Sequence, residues 1–459
     1  MSAATETALQ VLERQLNGPL LAALEVCARC AICAETCHYY RAEPAAEHIP
    51  AARGEALRRV YRAEHDWLSR LFPAWTGAER LTDDTLASLA EMAFSRCTLC
   101  RRCTFNCPMG VDTPLLMRTV RAMATAGGMA PEMLVMLADA AIEKGKDPSF
   151  FRDMFVSQIP DLEKELQAST GDRTARITVG REGAKVLYVA LAGVHTIVPP
   201  AIIFQAAGED WTLSIYEASN YGVFLGDVER AKQIAARIIN EAKALRVQEL
   251  VLAECGHAYA ALRWEAPNWF GETFPFKVTS LVEKMDQYLA EGRLRLDPSA
   301  NPQTITYHDS CNMARSGGVI EEPRRLLRAI TRDFVEMTPN RLEAYCCGGG
   351  GGLVALPEYE ETRLKAGSPK ADQIRRSGAE VVVAACENCR LQIGDLNHHY
   401  GLGVEVSALA DLVVKAMRLP STPAEAEKLF ASAKSMEPAP SRDLPAIGGE
   451  PRLPLHPPD

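Results

Sequence analysis

Residues 97–108 read CTLCRRCTFNCP, and residues 27–37 read CARCAICAETC. Each is a Cys-x2-Cys-x2-Cys-x3-Cys run, the bacterial ferredoxin spacing, and it occurs twice. Three thiolates of so tight a run wrap one face of an iron–sulfur cubane, while the fourth lies too far round and reaches the other cluster. The spacing therefore predicts one [4Fe–4S] cluster on Cys27, Cys30, Cys33 and Cys107, and a second on Cys97, Cys100, Cys103 and Cys37. Structural zinc prefers two separated pairs of ligands, so a single run of four, repeated, is a poor zinc pattern. The first run is followed by His38 where the second has Pro108, a departure that removes no ligand.

Around these knots the pattern is helical. Leu9, Leu12, Leu16 and Leu20 fall near one face of a helix over residues 1–26. Residues 50–95 carry Leu57, Val60, Tyr61, Trp67, Leu68 and Leu71 at helical spacing, and a helical pattern returns from Met129 to about Thr170. Residues 1–130 are thus expected to form an all-α ferredoxin-like domain with two [4Fe–4S] clusters, and 131–182 a helical linker. At Lys185 the texture becomes α/β, with short apolar runs between amphipathic helices. It does so twice. KVLYVALAG answers TITYHDSCN, ELVLAECGHA answers EVVVAACENC, and FKVTSLVEKMDQYL answers VEVSALADLVVKAM. The expected fold is α+β and multidomain, with two pseudo-repeated α/β subdomains at 183–300 and 301–418. The tail, 419–459, is rich in Pro, Ala, Ser and charge and reads as disordered.

The second α/β copy holds a third set of thiols: Cys311, then Cys346 and Cys347 before five glycines (Gly348 to Gly352), then Cys386 and Cys389. They follow one strand, occupy a loop and follow another strand, positions that gather at one edge of a parallel sheet. The glycines let backbone N–H groups approach sulfur closely. No Lys-Ser/Thr follows them, which argues against a phosphate cradle.

Composition limits the alternatives. The 459 residues hold 14 cysteines, 47% hydrophobic residues and a formal net charge of -9. The acidic balance and the lack of a basic run exclude a nucleic-acid partner. The N-terminus reads MSAATETALQVLERQL, unlike a signal peptide, so the cysteines are expected in a reducing compartment, as metal ligands. Val186 to Gly208 contains no Lys, Arg, Asp or Glu, but His195, Pro199 and Pro200 fit a strand, loop and helix better than a membrane span.

The pattern Cys-x34-Cys-Cys-Gly-x37-Cys-x2-Cys resembles the cysteine-rich CCG domain of heterodisulfide reductases and their relatives. That resemblance implies a noncubane [4Fe–4S] cluster held by Cys311, Cys346, Cys347, Cys386 and Cys389. Eight ferredoxin-type cysteines, these five and Cys255 account for all 14. The first copy is degenerate: Ala192 stands in place of Cys311, Ser219 and Asn220 lie near the place of the Cys-Cys pair, and Ala258 replaces Cys389. One intact motif, a leftover Glu254-Cys255-Gly256-His257-Ala258 and the stretches HDSCNMAR, YCCGGGGGL and ENCRLQ resemble the K subunits (DsrK) of the Dsr (DsrMKJOP) membrane complexes of sulfur metabolism.

The resemblance covers about residues 25 to 418. It implies an iron–sulfur catalytic subunit without flavin, peripheral on the cytoplasmic face of the inner membrane. Its partners would be a DsrM-like haem b membrane subunit and the other Dsr complex subunits. Its substrate would be a disulfide or trisulfide on a DsrC-like small protein. An iron–sulfur subunit of a cytochrome-linked Tmc or Hmc complex, or of a hydroxy-acid dehydrogenase, shares much of this architecture. Within the degenerate copy, Cys255 aligns with Cys386. If the copies pack face to face, the lost cluster leaves room for a substrate arm. Cys255 would then bond substrate sulfur while His257 moves a proton.

Overall fold

The computed structural model describes residues 2–146, 153, 155–191 and 193–418. Ala192 and the tail from 419 lie outside the described residues. The N-terminal segment is two helices, Ala3–Gln15 and Gly18–Glu25, where the leucine spacing suggested one. Asn17 is the reason: its side chain accepts the Leu20 N–H at 3.0 Å, and Pro19 opens the new helix. Leu12 and Leu20 are buried as expected.

The stretch 50–95 departs further from its periodicity. Helices Pro50–His65 and Asp83–Ser95 bury Leu57, Val60, Leu86 and Leu89. Between them Asp66 caps a single turn, and Pro73 bars Phe72 from the α region. Two short helices result, Trp67–Leu71 and Pro73–Thr76. They leave Trp67 71% and Trp75 77% exposed, so Trp67 and Leu71 belong to no core. The helix that organises this half is Thr113–Ala126, whose Leu116, Met117, Val120 and Met123 are fully buried.

Both cysteine knots adopt one backbone conformation. Arg29 and Ala31 in the first, and Leu99 and Arg101 in the second, have φ between 55° and 62°. Left-handed non-glycine residues cost about 1–2 kcal/mol each. Here the same two places in each run bear that strain, and it turns successive cysteines toward one cavity.

From residue 186 the chain forms two parallel sheets. Strands β1 (Val186–Val189), β2 (Trp211–Leu213), β3 (Glu249–Leu252) and β4 (Lys277–Ser280) take the order β2-β1-β3-β4. Strands β5 (Ile305–Tyr307), β6 (Phe334–Val335), β7 (Val381–Val383) and β8 (Glu405–Ser407) take the order β6-β5-β7-β8, the same topology again. The segments paired in sequence occupy matching places, β1 with β5, β3 with β7, β4 with β8. All-apolar strands such as VLYV and VVV suit parallel sheets covered on both faces. Leu252, Ala253, Ile305, Tyr307 and Val383 share one core, so the two sheets form a single body. The charge-free stretch 186–208 is β1 followed by helix Val198–Ala206 with proline in its first turn. Among the described residues no helix is long and apolar enough to cross a membrane.

Arg121, 0% exposed on helix Thr113–Ala126, joins the halves. Its guanidinium donates to the carbonyls of Ala93 and Cys97 in its own domain, of Phe224 beside the first sheet and of Gly351 beside the second, at 2.7–3.1 Å. The glycine run seats against this joint. A Cβ on Gly350 would stand 2.9 Å from the Thr98 carbonyl oxygen, and one on Gly351 2.9 Å from Arg121 Nη2.

Arg121→Met leaves four buried carbonyls without a donor and should destabilise the protein by at least about 3 kcal/mol. It should lower the denaturation midpoint and make the joint sensitive to protease. At a left-handed position, Ala31→Val should cost more than about 1 kcal/mol and lower iron content, while Ala31→Gly should retain iron. Equal iron in the two variants would show that the knot is not held in this strained form.

Candidate iron–sulfur sites

Three groups of thiols lie in a row. The first cavity is lined by Cys27, Cys30, Cys33, Cys103 and Cys107, with Ile32, Ala51, Pro108, Met109 and Val111 as apolar wall. It lies at the surface: Cys30 is exposed. Its cation, Arg29, turns outward and pairs with Glu55 through two 3.1 Å hydrogen bonds. Cys107 of the second knot thus lies with the first three cysteines of the first knot.

The second cavity is lined by Cys37, Cys97, Cys100 and Cys103, with His38, Tyr39, Arg53, Thr98 and Arg101. Cys103 borders both cavities. Arg53 Nη2 stands 3.1 Å from Cys37 Sγ, while Arg53 Nε and Nη1 and Thr98 Oγ1 are buried with no hydrogen-bond partner among the described residues. Buried donors facing a cavity of thiols need an acceptor, and the sulfurs of a [4Fe–4S] cluster are the acceptors this donor set fits.

The third group sits where the parallel-sheet rule places it, at the C-terminal ends of the strands. Cys311 opens a helical turn after β5, Cys346 and Cys347 lie on the loop after β6, and Cys386 caps the helix Glu387–Tyr400 that carries Cys389. All five are buried. Cys347 Sγ and Cys389 Sγ are 3.5 Å apart, and the Gly348 N–H points at Cys346 Sγ at 3.5 Å. The glycines therefore divide their work: the first serves sulfur, and Gly350 to Gly352 seat the loop against the N-terminal half.

The second and third groups touch. Cys100 Sγ, Cys346 Sγ and a ring nitrogen of His38 lie within 4.8 Å of one another. Hydrogen bonds from the Cys100 and Cys311 thiols hold Cys346 down at about 6. The fit to a cluster is again seen in orphaned polar atoms. Both ring nitrogens of buried His308, together with Ser310 Oγ and Arg315 Nη2, have no partner. A nitrogen of His308 lies within 4.8 Å of the sulfurs of Cys347 and Cys389. Lys370, also buried, has only Met337 Sδ, at 3.6 Å, as a hydrogen-bond partner among the described residues, and burial brings its ammonium down to about 8. Reading the sequence alone singles out neither His308 nor Lys370. Placement of His308 three residues before Cys311, at the end of an apolar strand, is the available signal.

Cys255 and His257 stand at the end of β3, against the third group: the Glu387 N–H donates to the Glu254 carbonyl at 3.0 Å, and Arg390 pairs with Glu254 at 2.5 Å. Cys255 Sγ is 3.3 Å from His257 Nδ1, and His257 Nε2 accepts the Asn220 N–H at 3.3 Å, so Nδ1 carries the proton of the neutral ring. Burial lowers the His257 pKa to about 4 and pushes the Cys255 thiol up. The copies do meet, but the room expected beside Cys255 is filled. Phe224 lies 4.6 Å from the His257 ring, Gly256 packs on Asn312, and the two residues are 2% and 8% exposed.

The chain can now be set beside known proteins. Residues 23–111 match the family described as 4Fe-4S dicluster domain, and residues 305–394 the family described as Cysteine-rich domain, CCG. An Hdr-like menaquinol oxidoreductase iron-sulfur subunit 2 from Archaeoglobus fulgidus is 27% identical over 445 residues, covering 86% of this chain and 80% of that protein. One subunit of the dihydromethanophenazine:CoB–CoM heterodisulfide reductase from Methanosarcina acetivorans is 26% identical over 413 residues, covering 88% and 97%. A probable membrane-anchored ferredoxin from Chromohalobacter salexigens is 28% identical over 356 residues, covering 73% of this chain and 50% of its own length. The chain thus joins a 4Fe-4S dicluster domain to a cysteine-rich CCG domain and is similar, over most of its length, to iron–sulfur subunits of Hdr-like oxidoreductases.

Proposed function

We propose that this chain is the iron–sulfur catalytic subunit of a membrane-associated redox complex, passing electrons between a quinone-linked haem b partner and a protein disulfide or trisulfide of the DsrC type. The observation that carries the reading is the continuous line of thiols from exposed Cys30, through the Cys100–Cys346 contact, to the buried five-cysteine group. Cys27, Cys30, Cys33 and Cys107 would hold one cubane and Cys97, Cys100, Cys103 and Cys37 the other. Cys311, Cys346, Cys347, Cys386 and Cys389 would hold the CCG-type cluster. When bound, the cubanes supply single electrons and the five-thiol site a place where sulfur can be held. Cleavage of RS–SR′ consumes two electrons and two protons and yields two thiols, and the same balance runs backward in oxidation. Buried His308 and Lys370 stand by the third site as proton-bearing groups, as does His38 beside Cys346. The first α/β copy, on this reading, is a CCG-type subdomain that has lost its metal. The chain sits peripherally on the cytoplasmic face of the inner membrane through its partners. Names of relatives that act on menaquinol and on a heterodisulfide support both ends of the path.

Anaerobically purified protein should contain about twelve iron, three clusters of four; stoichiometric zinc with little iron would overturn the reading. Cys37→Ser should damage the cluster of the second knot and Cys107→Ser that of the first. Spectroscopy showing each change acting on its own knot would refute the crossed ligand sets.

Cys255 and His257 are proposed to act on substrate sulfur as a thiol–imidazole pair, the 3.3 Å contact being the supporting observation. Their burial requires Phe224 and its neighbours to yield when substrate enters. Cys255→Ala and His257→Ala, each with three intact clusters, should lower reduction of a DsrC-type substrate at least about tenfold. Unchanged turnover in both would leave the pair a packed remnant.

A further inference from the structure

Three buried arginines break the ordinary rule for buried charge: Arg53 lines the second cavity, and Arg121 and Arg315 stand behind it, against the Cys97 and Cys100 carbonyls. Arg53, Arg121 and Arg315 are 2%, 0% and 2% exposed, and none forms an ion pair among the described residues. Arg53 touches Cys37 Sγ at 3.1 Å and keeps two guanidinium nitrogens unpartnered on the cavity wall. Arg121 donates to the Cys97 carbonyl at 2.8 Å, and Arg315, arriving from the third site, to the Cys100 carbonyl at 2.6 Å. A guanidinium withdrawn from water costs several kcal/mol unless an anion answers it. Arg101 and Arg102 on the same cavity pair with Asp112 and Glu343, but among the described residues no carboxylate answers these three, and a cluster in the cavity is the anion that would. The first cavity is built the other way: its wall is apolar, it is open to solvent at Cys30, and Arg29 is already neutralised by Glu55.

We infer that Arg53, Arg121 and Arg315 form a cationic cage that raises the reduction potential of the cluster on Cys37, Cys97, Cys100 and Cys103 above that of the surface cluster. The inference rests on the cluster assignment proposed above. Reduction adds one negative charge to a cluster already negative with its four thiolates. Cations and sulfur-directed donors within a few Å favour that form, and at a given distance they act more strongly away from water. Solvent at the first cavity also favours the reduced form, and the inference is that fixed cations beside the buried cluster outweigh it. A single electron entering at the exposed cluster therefore runs downhill to the caged one, which abuts the third site, and the cage holds it there.

The test is an EPR-monitored redox titration of the holoprotein, with iron content measured on the same samples. Loss of signal in Cys97→Ser identifies the second knot's cluster, and loss in Cys30→Ser the first knot's. In the unaltered protein the second knot's cluster should be reduced first, by a midpoint at least 59 mV higher, the equivalent of a tenfold population ratio for one electron. Arg53→Met should lower that midpoint and leave the other cubane where it was, and Arg53→Lys should restore most of it. A second-knot midpoint equal to or below the first in the unaltered protein overturns the inference even if Arg53→Met fails to load iron. Absence of three iron–sulfur clusters would instead overturn the assignment beneath it.

Discussion

Five hydrogen bonds from one guanidinium hold the architecture in register. Arg121 reaches the carbonyls of Ala93, Cys97, Phe224 and Gly351, and so fixes the ferredoxin half, the first sheet and the glycine loop of the second sheet against one another. Every donor of its planar fork is used, a geometry that lysine cannot supply. The glycine run lets the loop come this close, since a side chain at Gly350 or Gly351 would meet Thr98 or Arg121. The contact between Cys100 and Cys346 exists because this joint is tight.

Much of this was legible in the sequence. Spacing alone located the thiols, because ligand geometry leaves little freedom once three cysteines fall within seven residues. Pairing of apolar runs located the strands, and TITYHDSCN and KVLYVALAG do occupy matching central strands. Where the sequence misled, a local signal competed with periodicity. Asn17 and Pro19 interrupted the first helix, and Asp66 and Pro73 turned a helical stripe into two short exposed pieces. The function of Gly350 to Gly352 as a seat between domains was not legible, since it depends on what packs across them. The same holds for Arg53, Arg121, Arg315, His308 and Lys370, unremarkable in one dimension and distinctive only when found buried without counter-charge or partner.

The two α/β copies show how a repeat can keep its frame while its chemistry diverges. Strand order is the same in both, and their strand ends meet at the Glu254–Arg390 pair. In the first copy, Phe224, Tyr221 and Asn220 fill the space around His257 that the second copy gives to cysteine sulfur. Packing alone holds the first copy together there, and the first sheet shares one core with the second.

Burial of the third group bears on how such a protein is built. Cys37 and Cys97 are buried, as are all five thiols of the third site, and the carbonyl lock of Arg121 lies across the seam between them. A four-iron body cannot pass through that seam while it is closed. On the proposed assignment, a cluster would therefore enter the third site before the halves dock. The outer group, open at Cys30, is the one that a cluster, or an oxidant, would reach in the folded protein.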